Sequence, residues 1–231
     1  MRTEFIVQLE KVSKIYQQGH VEVKAVDRLD LAIQTGEFSA LSGPSGSGKT
    51  TILNMIGALD VPTEGTVLLE GNNLNELSRS SLSELRRDRI GFVFQAYNLI
   101  PVLTAYENAE FVLALQNVPV LERKQRVMAV LEEVGMADYV NRRPDELSGG
   151  QQQRIAIARA VVSEPAIVLA DEPTANVDSE AADTILDLME HLNREKGVTF
   201  LFSTHDQRVM SRARRLISLR DGRLEADERK G

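Results

Sequence analysis

The stretch FSALSGPSGSGKTTILNMIGA, Phe38 to Ala58, carries three structural signals in immediate succession. FSALSG, Phe38 to Gly43, reads as a buried strand. The glycine-rich turn GPSGSGKTT, Gly43 to Thr51, follows it, and a helix is expected from about Gly48 through TILNMIGA. Gly43, Gly48, Lys49 and Thr50 complete the pattern G-x-x-x-x-G-K-[ST], in the strand–loop–helix context that gives the pattern meaning. Glycines let backbone amides close around phosphate oxygens, and the helix N-terminus adds partial positive charge. Lys49 is placed to neutralise the β- and γ-phosphates, and the Thr50 hydroxyl to ligate magnesium. The candidate nucleotide-binding set is therefore Gly43, Pro44, Ser45, Gly46, Ser47, Gly48, Lys49, Thr50 and Thr51. A buried parallel strand feeding such a loop implies an α/β core.

Other strand ends supply the remaining chemistry. IVLADEPT, Ile167 to Thr174, runs four apolar residues into Asp171 and Glu172. A carboxylate at a strand's C-terminal end beside a phosphate loop is positioned to hold magnesium, which assigns Asp171 to the metal. Glu172 is the candidate to orient and deprotonate an attacking water. Gln95 ends the apolar run GFVFQ, where its amide can reach a metal or water. His205, one of three histidines, ends the run FSTHD in the same way. Tyr16, in the polar segment KIYQQGH, matters if an adenine ring needs a stacking partner; the segment itself reads as a turn.

The same alternation extends along the chain. FIVQLEKV (Phe5 to Val12) and LDLAI (Leu29 to Ile33) alternate apolar and polar residues as half-buried strands do. They predict a small N-terminal antiparallel sheet. TVLLEG (Thr66 to Gly71), IGFVFQ (Ile90 to Gln95), AIVLAD (Ala166 to Asp171) and TFLFS (Thr199 to Ser203) read as further strands. From about Tyr97 to Glu164 the period is helical. There, Val127, Val130, Leu131 and Val134 share one face and Gly135 provides a stop. DSEAADTILDLMEHLNREKG predicts a helix capped at Asp178 or Ser179 and closed at Gly197, with Ile185, Leu188, Met189 and Leu192 inward.

A second glycine segment needs its own explanation. LSGGQ, comprising Leu147, Ser148, Gly149, Gly150 and Gln151, opens a helix-like run but contains no acid, base or metal ligand. It offers a hydroxyl, two flexible amides and a helix start, which suit a γ-phosphate sensor. Because the first loop already wraps its own nucleotide, the natural client is a nucleotide on a second copy. Two copies arranged head to tail close into a two-fold homodimer when ATP binds.

Composition sets the outer bounds. The chain has 231 residues, 42% hydrophobic and 26% charged, as expected for a globular protein with a sizeable core. It has no cysteine, and therefore no disulfide or thiol chemistry. No basic-then-apolar leader and no apolar run of about 20 residues are present. A net charge of −7 argues against sequence-independent nucleic-acid binding. The clusters Arg86, Arg87, Arg89 and Arg212, Arg214, Arg215 read as solvated helix faces.

Taken in order, Tyr16, GPSGSGKT, Gln95, LSGGQ, IVLADE, ANVD (Ala175 to Asp178) and His205 resemble the motif series of the ATPase subunit of ABC transporters, over nearly the whole chain. The resemblance implies a P-loop, RecA-like α/β core with a mostly parallel sheet. It also implies an N-terminal antiparallel β-subdomain and a helical subdomain inserted at about residues 96–164, all within one ATPase domain spanning 1–231. It implies ATP and magnesium as cofactors, Tyr16 stacked on adenine, Gln95 coupling the site to a partner, Asp178 at the dimer interface and His205 on the γ-phosphate. ANVD departs from the commoner S-A-L-D form at Asn176 and Val177. FVFQAYNLIPVLTAYENAEF, LSGGQQQRIAIARA and DEPTANVDS are similar to the lipoprotein-releasing, macrolide-efflux and cell-division group. That narrower likeness implies a separate transmembrane permease and residence at the cytoplasmic face of the plasma membrane, held there through the permease. Export and regulation of the cell-division type, in which no substrate moves, both fit. A DNA- or ribosome-directed ABC ATPase is disfavoured by the short Gln95–Leu147 interval and the single cassette, and a GTPase by the lack of N-K-x-D.

Overall fold

The strand ahead of the glycine loop is buried at all five positions. Burial of all five residues, Ser39 and Ser42 included, places it inside a parallel sheet covered on both faces. The computed structural model describes residues 5–19 and 21–230, so His20 of the KIYQQGH segment lies outside the described residues. In chain order the strands are β1 (Phe5–Gln18), β2 (Val21–Gln34), β3 (Phe38–Ser42), β4 (Glu64–Leu69), β5 (Asn72–Asn73), β6 (Ile90–Phe94), β7 (Ile167–Asp171), β8 (Phe200–Ser203), β9 (Arg215–Arg220) and β10 (Arg223–Arg229). The α-helices are α1 (Lys49–Ile56), α2 (Arg79–Arg89), α3 (Ala105–Leu115), α4 (Val120–Glu133), α5 (Gly149–Val161), α6 (Ser179–Lys196) and α7 (Gln207–Arg212).

The larger sheet has the order β10-β9-β3-β8-β7-β6. It is parallel from β9 to β6, and β10 returns antiparallel along one edge. Phe38, Phe200 and Phe202 meet across β3 and β8 with ring centroids 4.8–5.8 Å apart. Each such pair adds about 0.5–1.5 kcal/mol beyond its buried area. The smaller sheet, β2-β1-β4-β5, is antiparallel throughout. Its first two strands run past the alternating segments expected from sequence. As a result Tyr16 lies within β1, opposite Val23, and not in a polar turn.

The stretch between β6 and β7 is helical. α3, α4 and α5 close around Ala109, Leu113, Val127, Leu131, Ile155 and Ala158. α5 is shared: Ile157, Ala160 and Val161 belong to the cluster beneath the large sheet, beside Phe200 and α6. The α6 boundaries follow their expected caps: the Asp178 side chain accepts from the Ala181 amide, and Gly197 is left-handed at φ 66°.

The arginine clusters do not form two solvated helix faces. Arg87 pairs with Asp88, and Arg89 forks onto Glu70. α7 ends at Arg212, and Arg215 opens β9 while only 8% exposed. Its guanidinium binds Asp227, Glu37 and the Ala32 carbonyl. The Asp227 bond dominates and raises the Arg215 pKa, with burial opposing. A buried charge persists only with such partners.

Candidate functional site

Four of the expected site segments leave adjacent strands at one edge of the large sheet. β3 runs into the glycine loop, β8 into Thr204 and His205, β7 into Asp171 and Glu172, and β6 into Gln95. Leu41 pairs with Ser203, Ser203 with Asp171, and Asp171 with Phe94, so the strand ends lie level. Residues far apart in sequence thus stand one strand spacing apart, about 4.8 Å.

The glycine loop is shaped by close approach. Gly43 has φ 146°, and a Cβ there would sit 2.2 Å from the Leu219 carbonyl oxygen. Gly48, left-handed at φ 99°, caps α1, and its added Cβ would meet the Ala25 carbonyl at 2.5 Å. Lys49 is 8% exposed, and its ammonium donates to the Gly43 and Pro44 carbonyls at 2.8 and 3.0 Å. Ser47 Oγ is buried and has no protein partner. A buried ammonium, an unpartnered hydroxyl and the amide end of α1 converge where a triphosphate chain would lie.

Thr50 Oγ1 donates to the Asp171 carboxylate at 3.3–3.4 Å. One hydroxyl and one carboxylate, both oxygen donors, fit a magnesium ion that keeps phosphate and water in its remaining positions. Among the described residues no group of three or more His, Cys, Asp or Glu could hold a metal alone.

Glu172 is half-buried and left-handed at φ 46°, with its amide bonded to the Ser203 carbonyl. Strain of this kind persists only where the surroundings over-determine it. Its Oε1 lies 2.6 Å from His205 Nδ1, and its Oε2 accepts from Thr204 Oγ1 at 3.0 Å. Two neighbours from β8 therefore aim the carboxylate. Thr204, which the sequence reading passed over, stands beside His205 in FSTHD and was findable on that ground.

Gln95 does not point at Asp171. Its Nε2 faces Asn176 Oδ1 at 3.4 Å, and Asn176 Nδ2 donates to the Gln95 carbonyl at 3.0 Å. Tyr97 OH donates to the Asn176 carbonyl at 2.7 Å. Tyr16 is half-buried, and its hydroxyl donates to Asp60 at 2.8 Å. Burial, and then the Asp60 carboxylate, raise the Tyr16 pKa; a hydrogen bond with Thr51 opposes them. Lys14 also pairs with Asp60, and its ammonium lies 5.0 Å from the Tyr16 ring centroid. Burial alone would raise the Asp60 carboxyl, but bonds from Lys14, Tyr16 and the Val61 amide hold it below its ordinary value. Neither Asp60 nor Asn176 carries a motif that marks it from sequence, although Asn176 stands out as a departure within ANVD.

LSGGQ lies outside this cluster. Ser148 caps α5 and forms a reciprocal box with Gln151. Gly149 packs under Tyr97 and Asn176, and Gly150 against Ala181. Asp178 caps α6 nearby. The structure therefore brings together Lys49, Thr50, Asp171, Glu172 and His205. It places LSGGQ and Asp178 with the Gln95 turn instead.

The profile of the protein family described as ABC transporter matches residues 26–175. An uncharacterised ABC transporter ATP-binding protein of Thermotoga maritima is 44% identical over 98% of this chain and 96% of its own length. The macrolide export ATP-binding/permease protein MacB of Hyphomonas neptunium is 42% identical over 96% of this chain, which spans 34% of that relative's length. The dimeric structure of a post-hydrolysis state of the ATP-binding cassette MJ0796, bound to ADP and Pi, superimposes with a TM-score of 0.89. That cassette is 44% identical, with 96% of this chain and 98% of that one covered. This chain belongs to the ABC transporter family, as one of its ATP-binding ATPase cassettes.

Proposed function

We propose that this chain is the engine of a membrane exporter, driving a separate transmembrane permease through ATP-dependent closure of a homodimer. The carrying observation is the pairing of Glu172 with His205 and Thr204, directly beside the Thr50–Asp171 oxygen pair. Thr50 and Asp171 would hold magnesium, with Gln95 as a further candidate ligand, and the ion would neutralise phosphate charge. Lys49 and the loop amides orient the β- and γ-phosphates, and Tyr16 stacks on adenine. Glu172 takes a proton from water as the water oxygen bonds to the γ-phosphorus and the bond to the bridging oxygen breaks. His205 holds Glu172 and contacts the γ-phosphate.

Ser148, Gly149 and Gly150 of the second subunit complete the site, and Asp178 lies at the interface. The reading draws support from the MJ0796 cassette, whose ADP- and phosphate-bound structure is a dimer. Residues 96–164 act as a helical subdomain that passes motion to the permease. MacB, named as an ATP-binding/permease protein, supports the export assignment. No helix of the described residues is long and apolar enough to cross a membrane; in this reading the permease holds the chain at the cytoplasmic face.

Glu172→Gln tests the core of this reading. Removing a general base costs about 10²- to 10⁴-fold in rate, while the amide preserves size and ATP binding. Size-exclusion chromatography with Mg-ATP should show a persistent dimer with negligible turnover. A monomer with near-normal turnover overturns the role of Glu172.

A further inference from the structure

The turn that follows Glu172 is tied down at its base, where the buried Gln153 of α5 donates through Nε2 to the Pro173 carbonyl at 2.7 Å, and on two further sides. On one side Thr174, 1% exposed, donates through Oγ1 to Asp206 Oδ2 at 3.0 Å. On the other, Asn176 exchanges both of its amide groups with Gln95 and accepts from Tyr97 OH on its carbonyl. The Gln95 turn is itself strained: Tyr97 and Asn98 are consecutive non-glycine residues in the left-handed region, at φ 60° and 51°. Their carbonyls are clamped by the Arg159 guanidinium of α5, at 2.9 and 2.6 Å. Burial lowers the pKa of Arg159, as expected of a cation whose compensation comes from carbonyl dipoles alone.

We infer that Asn176 is a positioning residue, a latch that couples the Gln95 turn to Glu172 and so sets the geometry for water attack. Only three residues separate Asn176 from Glu172, and the Ala175 amide closes that short turn onto the Glu172 carbonyl at 3.2 Å. The turn is also fixed through Thr174 and through the Pro173 carbonyl on Gln153, so Asn176 is the direct bond by which a shift of residues 95–98 reaches the Glu172 turn. Gly149 lies against the same joint. A Cβ there would lie 2.6 Å from Tyr97 OH and 3.2 Å from the Asn176 carbonyl. The start of α5 thus rests on the same joint, and one amide side chain joins three segments that the sequence holds apart. The latch deepens the proposed function, since it rests on Glu172 and Gln95 serving hydrolysis.

Asn176→Ala removes both amide bonds to Gln95, whereas Asn176→Asp keeps the acceptor and loses the Nδ2 donor. Tyr97→Phe removes only the hydroxyl bond. Hydrogen exchange on the nucleotide-free full chain reads the joint directly, because the Tyr97 and Asn98 amides are bonded within the turn. Both Asn176 variants should exchange faster at residues 96–98 by about 5- to 30-fold, with core strands unchanged. Their kcat for ATP should fall by a similar factor, the equivalent of roughly 1–2 kcal/mol, with KM within about twofold by the rule for groups acting only in the transition state. Tyr97→Phe combined with Asn176→Ala should be less than additive, as for partners in one network. Unchanged exchange and kcat in Asn176→Ala overturn the latch, as does a loss spread over the whole molecule. Glu172→Gln run in parallel separates the two ideas: if it is inactive while Asn176→Ala is normal, only the latch fails; if it turns over normally, the hydrolysis reading fails first.

Discussion

The two glycine segments, GPSGSGKT and LSGGQ, are both loop-to-helix junctions that end in exposed amides, yet their surroundings differ. The first is walled by its own chain. Gly43 abuts Leu219, Gly48 abuts Ala25, and Lys49 is held by two carbonyls of the loop. The second is anchored from behind by Leu147, 7% exposed, while Ser148 is exposed and satisfied only by Gln151 of the same turn. One is a finished cradle; the other is a helix start with nothing in its own chain to hold. The asymmetry explains why a single chain carries two such segments without needing two nucleotides, provided that a second copy supplies the missing half.

The sharpest way to break this contrast is complementation. Lys49→Ala removes the charge inside the first cradle, and Ser148→Arg blocks the second; each alone should abolish nearly all turnover. Mixed one to one, random pairing makes half the dimers mixed, and each mixed dimer has one intact composite site. ATPase assays should recover about a quarter of wild-type activity if sites act independently. A mixture no more active than its parents would mean that the two segments do not meet across subunits.

A second contrast is steric and gives a smaller effect. Gly43→Ala forces a Cβ against backbone at a φ that side chains rarely adopt, 146°. Strain of about 1–3 kcal/mol plus comparable overpacking should lower Tm by roughly 4–24 °C, using about 2–4 °C per kcal/mol. Gly149→Ala meets the far end of the Tyr97 side chain, which can swing away. Its Tm should change by less than about 4 °C. Equal losses in thermal melts would erase the distinction between an enclosed loop and an open one.

The same distinction governs what sequence could reveal. Buried strands and the enclosed loop are dictated by local pattern, because burial on both faces demands a continuous apolar run. β7 and β8 were accordingly legible, β3 was legible through its lead into the glycine loop, and so was the placement of Lys49, Asp171, Glu172 and His205 at or just beyond the strand ends. α2 was not: none of its residues is fully buried, and only Leu82 and Leu85 give it an apolar face. β10 is mostly exposed along an edge and alternates weakly. Arg215 looked like surface because its partners lie on other strands, Asp227 on the neighbouring β10 and Glu37 178 positions away. Asp60, Tyr97 and Arg159 were invisible for a related reason, and Asn176 showed only as a departure within ANVD. They are ordinary polar residues whose roles arise from contacts 44 to 81 positions away, or from bonds to backbone that no residue pattern encodes.

The smallest expected effect lies at the nucleoside end of the first cradle. Tyr16 is fixed by Asp60, not free in a turn, which asks whether its ring or its hydroxyl does the binding. Stacking on an aromatic face is worth about 1–3 kcal/mol per base, so Tyr16→Ala should weaken ATP binding roughly 5- to 150-fold, at about 1.4 kcal/mol per tenfold. Tyr16→Phe keeps the face and loses one bond. Asp60 retains Lys14 and the Val61 amide, so no carboxylate is stranded. The Phe variant should bind within about threefold of wild type, the cost of less than about 1 kcal/mol. GTP should also bind, since every base has a π-face. Titration with a fluorescent nucleotide separates the possibilities. Unchanged affinity in Tyr16→Ala would make the residue part of the β1 surface alone. A large loss in Tyr16→Phe would shift the weight to the Asp60 bond, and the first cradle would then extend beyond its glycines to a polar clamp on the base-binding ring.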